Sequence, residues 1–267
     1  MLQSIPKKLL KQIRQLRQKK FRHEYGLFVI SGLRAVGLAL ESDTLRPKYL
    51  LVEKQQMAIL NQLPAFNGEA IYALSPSEFE YISDEKTPQG IALVAYLPEE
   101  TLSQITTLPG QLIFLENIND PGNFGTIVRT AAWFGWPLIL LGTNAIDPYQ
   151  PKAVRASAGA IARVKILRDI SLKTLTQLKT QNHYKVIGTT VHEGHTLPAF
   201  KPQPSEKYLL LFGSEAHGLS GEAAQLCDLK LTIPKFGTGE SLNLSVAVSL
   251  FLYQFTALNS KRDNGEN

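Results

Sequence analysis

Ile233-Pro-Lys-Phe-Gly-Thr-Gly-Glu-Ser-Leu-Asn-Leu-Ser245 runs straight into an apolar segment that ends near Tyr253. Gly237 and Gly239 make a short polar loop, and Ser241, Asn243 and Ser245 alternate with leucines at the mouth of a helix. A loop that bends sharply and presents backbone N–H groups suits a small polar ligand. Asn117–Arg129 and Phe212–Gly218 have the same character, and each follows a short apolar run. Apolar runs without clean alternation read as strands buried on both faces, as in a parallel sheet. Such sheets collect ligands at the C-terminal ends of their strands. The three stretches are therefore expected to meet in one site.

Working outward, strands are expected at Leu112–Leu115, Leu138–Leu141, Arg163–Ile166, Lys185–Thr189, Tyr208–Phe212 and Lys230–Ile233. Helical patterns lie between them at Asn123–Phe134, Lys152–Ala158 and Ser171–Lys179, and a last helix runs from Leu242 to about Leu258. Upstream, strands at Tyr25–Ile30, Lys48–Val52, Ala70–Leu74 and Gly90–Tyr96 alternate with helices at Pro6–Phe21, Gly32–Leu40 and Gln55–Gln62, and Ser75-Pro76 opens another. This alternation predicts an α/β chain in two parts. The expected boundaries are a small α/β domain over 1–98, a Thr-rich linker over 99–110, a second domain over 111–258 and a polar, disordered tail over 259–267.

Net charge is +5, but residues 1–22 hold eight Lys and Arg and no acid, so the other 245 residues sum to about −3. Lys7, Lys8, Lys11, Arg14, Arg17, Lys19, Lys20 and Arg22 thus form either a solvated helix face or a footprint for a phosphate backbone. A transit peptide fits less well, because the segment has one Ser and leads directly into patterned sequence. No apolar run reaches the roughly 18–20 residues that cross a membrane. The single Cys227 allows no internal disulfide and fits a reducing, cytoplasmic setting, and its place beside Leu226 reads as packing.

Several chemistries are disfavoured. No G-x-G-x-x-G follows the first strand of the second part, and no G-x-x-x-x-G-K-[ST] occurs, which argues against a dehydrogenase or a nucleoside triphosphatase. Ser214 does not lie in a G-x-S-x-G elbow, and His217 three residues on is poorly spaced to serve as its base. His192 and His195 are spaced i, i+3 beside a Gly, unlike the i, i+4 pair of a zinc protease. On a helical wheel Phe124, Ile127, Val128, Ala131 and Phe134 face the sheet, and Arg129 points elsewhere, at solvent, substrate or another subunit.

Together the three stretches resemble the SpoU (TrmH-like) branch of the trefoil-knot SPOUT superfamily, the RNA ribose 2′-O-methyltransferases. The matching segments are Asn119–Ala132, Leu211–Leu219 and Ile233–Ala247, in the family's order. Residues 1–98 resemble the L30e-like substrate-binding domain often fused in front, with Ser31-Gly32 where relatives commonly carry Glu-Gly. The resemblance implies a knotted, mostly parallel sheet with helices on both faces, and a homodimer. It implies S-adenosylmethionine as donor, held largely through main chain at Gly213, Ile233 and Leu242, with no metal. It implies that Arg129 acts on the 2′-hydroxyl and that Asn123, Glu215, Ser241 and Asn243 complete the signature.

Methyl transfer is an in-line displacement, so alignment of the reactants is the main demand. An arginine is already protonated, so it can take the hydroxyl proton only if its basicity is depressed; Arg129 is expected instead to stabilise developing alkoxide charge, alone or with a phosphate as proton acceptor, in its own site or in a partner subunit's. The separate N-terminal domain favours ribosomal RNA over transfer RNA as substrate. The rival readings are a transfer RNA methyltransferase, a base methyltransferase and a non-catalytic RNA-binding protein on the same scaffold.

Overall fold

The computed structural model describes residues 2–99, 101–105, 107–191, 194–203 and 205–263, the side chains of 2 and 258–263 excepted. Its contacts group the chain into two units, Met1–Glu99 with Asp147–Arg163, and Glu100–Ile146 with Val164–Asn267.

The first unit opens with β1 (Leu2–Ser4), α1 (Lys7–Gln15), α2 (Lys19–Tyr25), β2 (Leu27–Ser31) and α3 (Leu33–Leu40). It continues with β3 (Pro47–Glu53), β4 (Ala70–Leu74), α4 (Pro76–Ile82) and β5 (Ile91–Tyr96). The sheet is mixed, in the order β1-β4-β3-β5-β2, with β5 antiparallel to both its neighbours. Ile13, Leu16, Leu51, Leu74, Phe79 and Val94 form its core. Ser75 caps α4 through a reciprocal bond with Glu78, as Ser75-Pro76 implied. Two expectations change. Pro6–Phe21 is not one helix but two, and Gln55–Gln62 is a 3-10 segment, Lys54–Gln62, kinked at Gln56.

The second unit holds β6 (Gln111–Leu115), α5 (Pro121–Trp133) and β7 (Leu138–Gly142), after which α6 (Pro151–Ala156) packs with the first unit. The chain returns as β8 (Lys165–Ile170), α7 (Leu172–Asn182), β9 (Tyr184–Thr190) and β10 (His195–Thr196). It ends with β11 (Lys207–Phe212), α8 (Gly221–Leu226), β12 (Leu229–Thr232) and α9 (Leu244–Asp263). These seven strands are parallel in the order β10-β12-β9-β11-β6-β7-β8. Both faces are covered. Leu209 and Leu211 of β11 share a core cluster with Leu175 and Leu178 of α7. On the alternate face Tyr208 and Phe212 pack edge-on against Phe255 and Phe251 of α9, at 5.3 and 5.4 Å between ring centroids. Each such fully buried apolar side chain contributes about 1.5–3 kcal/mol, which is why the strands lack polar alternation. The stretch expected to be a linker is docked here, with Leu102, Ile105 and Leu108 against the core. The last helix continues to Asp263, beyond the expected end near Leu258, so 259–263 are helical rather than a disordered tail; residues 264–267 lie outside the described residues.

The sequence expectation put 147–163 inside the second domain, but these residues pack with the first unit through a buried ion pair. Arg22 donates to Asp147 Oδ2 from Nε at 3.0 Å and from Nη2 at 2.5 Å, with side-chain exposures of 3% and 5%. Its Nη1 donates to the carbonyls of Leu16 and Arg17, both at 2.8 Å. Arg22 thus satisfies the open C-terminal end of α1, and the chain breaks there before α2 begins. Arg155 with Asp84, Arg163 with Glu41 and the ring of Tyr149 against Phe28 add further contacts. Arg22 is therefore not part of an RNA footprint, since its charge is neutralised inside the protein. Arg22→Ala leaves Asp147 buried without its partner and should cost about 3–5 kcal/mol in urea unfolding. Arg22→Met with Asp147→Leu should recover most of that loss. A full-strength Arg22→Ala variant would show that the pair does not hold residues 147–163.

Candidate active site

Three loops leave the C-terminal edge of the second unit's sheet. After β6 the chain passes Glu116 and turns at Asn117, whose φ of 56° is a left-handed conformation that Asn tolerates better than most residues. Asp120 then caps α5, accepting from the Asn123 amide at 2.7 Å. After β11, Gly213 passes so close to Gly218 that a Cβ would lie 1.9 Å from its carbonyl carbon, so only glycine fits. Ser214 and Gly218 close this loop by two backbone bonds of 3.0 Å. After β12 comes the loop from Ile233 to Asn243.

A hydrogen-bond chain ties the three loops together. Asn123 Nδ2 donates to Glu215 Oε1 at 3.0 Å, and Asn123 Oδ1 accepts from Asn243 Nδ2 at 2.8 Å. Asn243 Oδ1 in turn accepts from Ser245 N at 2.9 Å and Ser245 Oγ at 2.6 Å, which caps the first turn of α9. Asn243, and not Ser241, therefore caps α9. Ser241 is exposed and bonds to no described residue.

The backbone N–H and C=O groups of 235–242 take no partner among the described residues. Ile233 is half-buried, Leu242 is half-exposed and Phe236 is almost fully exposed beside them. A loop with free main-chain donors and acceptors and an open apolar wall fits a ligand with a polar edge and a flat heterocycle, which is the character of S-adenosylmethionine.

The structure does not bring Arg129 into this chain of bonds. Six residues along α5 from Asn123, it is turned about 120° away and displaced by about 9 Å along the axis. It is exposed and makes no hydrogen bond or ion pair among the described residues. Thr126 and Trp133 share its solvent face, and Trp133 is 84% exposed. On α9, which packs on α5 through Thr130 with Ser249 and Phe134 with Tyr253, the exposed residues Val246, Leu250 and Tyr253 form a second apolar stripe.

Sequence reading missed Glu116. Its buried carboxylate accepts from Ser220 Oγ at 2.6 Å and Ser220 N at 2.8 Å, and its own amide donates to Phe212 O at 2.8 Å. Glu116 therefore anchors the far end of the loop that carries Glu215. Its sequence signal is an acid directly after an apolar strand. Elsewhere, Ser214 Oγ accepts from the His217 amide at 3.2 Å, so this pair forms a turn rather than a nucleophile and base. Burial pushes the Cys227 thiol up to about 11, which keeps it protonated and unreactive at neutral pH. His192 lies outside the described residues, and among those described no group of three His, Cys, Asp or Glu could hold a metal ion.

In the first unit Lys7, Lys8, Lys11, Arg14, Lys19 and Lys20 are exposed, with Arg14 over the Tyr81 ring at 4.1 Å. Arg17 is partly buried and bonds to the carbonyls of Tyr81 and Ser83.

Residues 110–253 match the SpoU rRNA Methylase family, and residues 7–93 match the MRM3-like substrate binding domain. A 23S rRNA (guanosine-2′-O)-methyltransferase of Bacillus subtilis, RlmP, is 30% identical over 252 residues, covering 94% of this chain and 97% of its own. A putative RNA methyltransferase of the TrmH family from Porphyromonas gingivalis superposes with a TM-score of 0.85 at 31% identity, over 96% of this chain and 99% of its own. The SpoU methyltransferase AviRb of Streptomyces viridochromogenes, in complex with AdoMet, gives 0.82 at 25% identity, over 96% and 99%. With its three signature stretches joined at one sheet edge, the chain belongs to the SpoU rRNA methylase family.

Proposed function

We propose that this RNA methyltransferase transfers a methyl group from S-adenosylmethionine to a ribose 2′-hydroxyl of ribosomal RNA, as a cytoplasmic homodimer. The observation that carries the reading is the junction of the three loops through Asn123, beside an exposed loop whose main chain takes no partner among the described residues. The name of RlmP supports ribose over base, and ribosomal RNA over transfer RNA. The AdoMet complex of AviRb supports the donor. The family resemblance also implies a trefoil knot in the C-terminal segment, and α9 packed on α5 agrees with that threading.

When bound, S-adenosylmethionine supplies a methyl group already activated on a positively charged sulfur. The chain's own task is then to align the acceptor and handle its proton. Gly213, Ile233 and Leu242 form the donor pocket, with the free amides of 235–242 as its polar lining. Ser241, with no protein partner, is left to bond the donor or the RNA. Asn123, Glu215 and Asn243 hold the three loops in register, and such alignment is worth about 7–11 kcal/mol in favourable cases. Arg129, which already carries its proton, stabilises the oxygen as negative charge develops, and the hydroxyl proton passes to a phosphate oxygen of the RNA or to water.

Arg129 faces away from its own loops and toward the face that bears Trp133. Covering that face with a second copy hides Trp133 and the α9 stripe and carries Arg129 to the partner's site. The exposed lysines of α1 and α2 supply a phosphate footprint on the first unit.

Arg129→Ala should bind S-adenosylmethionine with unchanged affinity by calorimetry yet lose about 10²–10³ in turnover on ribosomal RNA. Wild-type turnover in that variant rules out the assigned role. Action across subunits has a separate signature. Arg129→Ala and Asn123→Ala are each inactive alone, but co-refolded dimers should regain partial activity, because one site then has both side chains. Mixtures that stay dead place Arg129 in its own subunit's site.

A further inference from the structure

We propose that the first unit carries a second RNA-contact site, separate from the basic helices, built from Arg46, Lys48 and Tyr96 and binding single-stranded RNA. It deepens the reading of this protein as an RNA methyltransferase and rests on it. The site lies where β3 and β4 begin and β5 ends. Between Pro47 and Tyr49 the β3–β5 register slips by one residue, which leaves Lys48 in a bulge. Bulges re-aim side chains. Here Lys48 Nζ lies 4.7 Å from the centre of the Tyr96 ring and 5.4 Å from that of Tyr49, although neighbours on a regular strand point to opposite faces. The Lys48 carbonyl accepts from the Glu69 amide at 2.7 Å, which pins the bulge to the start of β4.

Arg46 lies on the same ring, with Cζ 3.7 Å from the Tyr96 centroid. Two cations on one aromatic ring repel each other. Among the described residues the carboxylate in contact is Glu69, which takes the Tyr96 hydroxyl at 2.6 Å and stands 3.9 Å from Lys48. Arg46 is exposed and forms no ion pair or side-chain hydrogen bond among the described residues. Its guanidinium carbon therefore rests over the ring while the side chain stays exposed, with its donors open to a ligand. That is the form in which arginine stacks a base and grips a phosphate at once. Beside it opens a polar cleft of about 420 Å³, lined in part by Ser42, Asp43, Thr44, Arg46 and Asn67. Asp43 repels a bare anion but accepts from a ribose hydroxyl or a base amino group. A cation fork, a stacking plane and a carboxylate acceptor together match a nucleotide within a strand rather than free phosphate.

The test uses the full chain, a fluorescent single-stranded oligoribonucleotide and purified ribosomal RNA, with affinity measured against salt. Arg46→Ala with Lys48→Ala should weaken binding of both RNAs roughly ten-fold and reduce the salt slope by about 0.7, that of one phosphate contact on a single strand, because Lys48 already faces Glu69 and serves to hold the Tyr96 platform. Arg46→Ala alone removes an exposed side chain and should reduce the slope by about 0.7 at unchanged Tm. Arg46→Lys should keep the slope but lose affinity, because it keeps the charge without the flat stacking face. Unchanged affinity and slope in Arg46→Ala overturn the site, as does a weakening fully accounted for by a fallen Tm. Methyl transfer by the wild-type chain is measured in parallel. Transfer with unchanged variant binding overturns this site alone, whereas a wild-type chain that neither binds nor methylates RNA overturns the functional reading as well.

Discussion

Asn123 uses both ends of one carboxamide. Its nitrogen reaches the loop after β11 and its oxygen reaches the segment before α9, while its own amide is fixed by Asp120. A single planar group thereby sets the spacing of three chain segments far apart in sequence. Aspartate could accept from Asn243 but could not donate to Glu215, and lysine could do only the reverse. The donor loop, the capping of α9 through Asn243 and the position of Glu215 all follow from this junction. Glu116 secures the same assembly from the other side by holding Ser220.

The parallel sheet supplies the platform on which this junction works. Seven strands running the same way deliver their C-terminal loops to one edge, and burial of both faces keeps that edge from shifting. Among the described residues the main chain of 235–242 takes no partner, and the junction lies at its end, at Asn243, and not within it. A fixed junction and a solvent-open stretch thus lie a few residues apart, so the loop can offer its main chain to a ligand without disturbing the junction.

Much of this was legible in the sequence. Six of the second unit's strands announced themselves as short apolar runs, whereas β10, two exposed polar residues, did not, and the wheel of α5 correctly turned Phe124, Ile127, Val128 and Ala131 inward. The meeting of the three polar stretches followed from their place after strands. What could not be read were the long-range polar pairings. Nothing local distinguishes Arg22 from its lysine neighbours, because its partner Asp147 lies 125 residues away. For the same reason the attachment of 147–163 to the first unit was invisible, and Pro6–Phe21 looked like a single helix. The bulge at Lys48 left no sequence mark either, since it is a property of pairing and not of composition.

The proposed function stands or falls on where the methyl group goes, a ribose hydroxyl of ribosomal RNA. A ribose 2′-O-methyl group blocks the neighbouring-group attack by which alkali cleaves RNA. The purified chain is incubated with methyl-labelled S-adenosylmethionine and separate pools of ribosomal and transfer RNA, and each RNA is then hydrolysed in alkali. The account predicts label confined to the ribosomal pool and recovered as alkali-resistant dinucleotides. Label in mononucleotides, on the bases, or in the transfer RNA pool alone would contradict it.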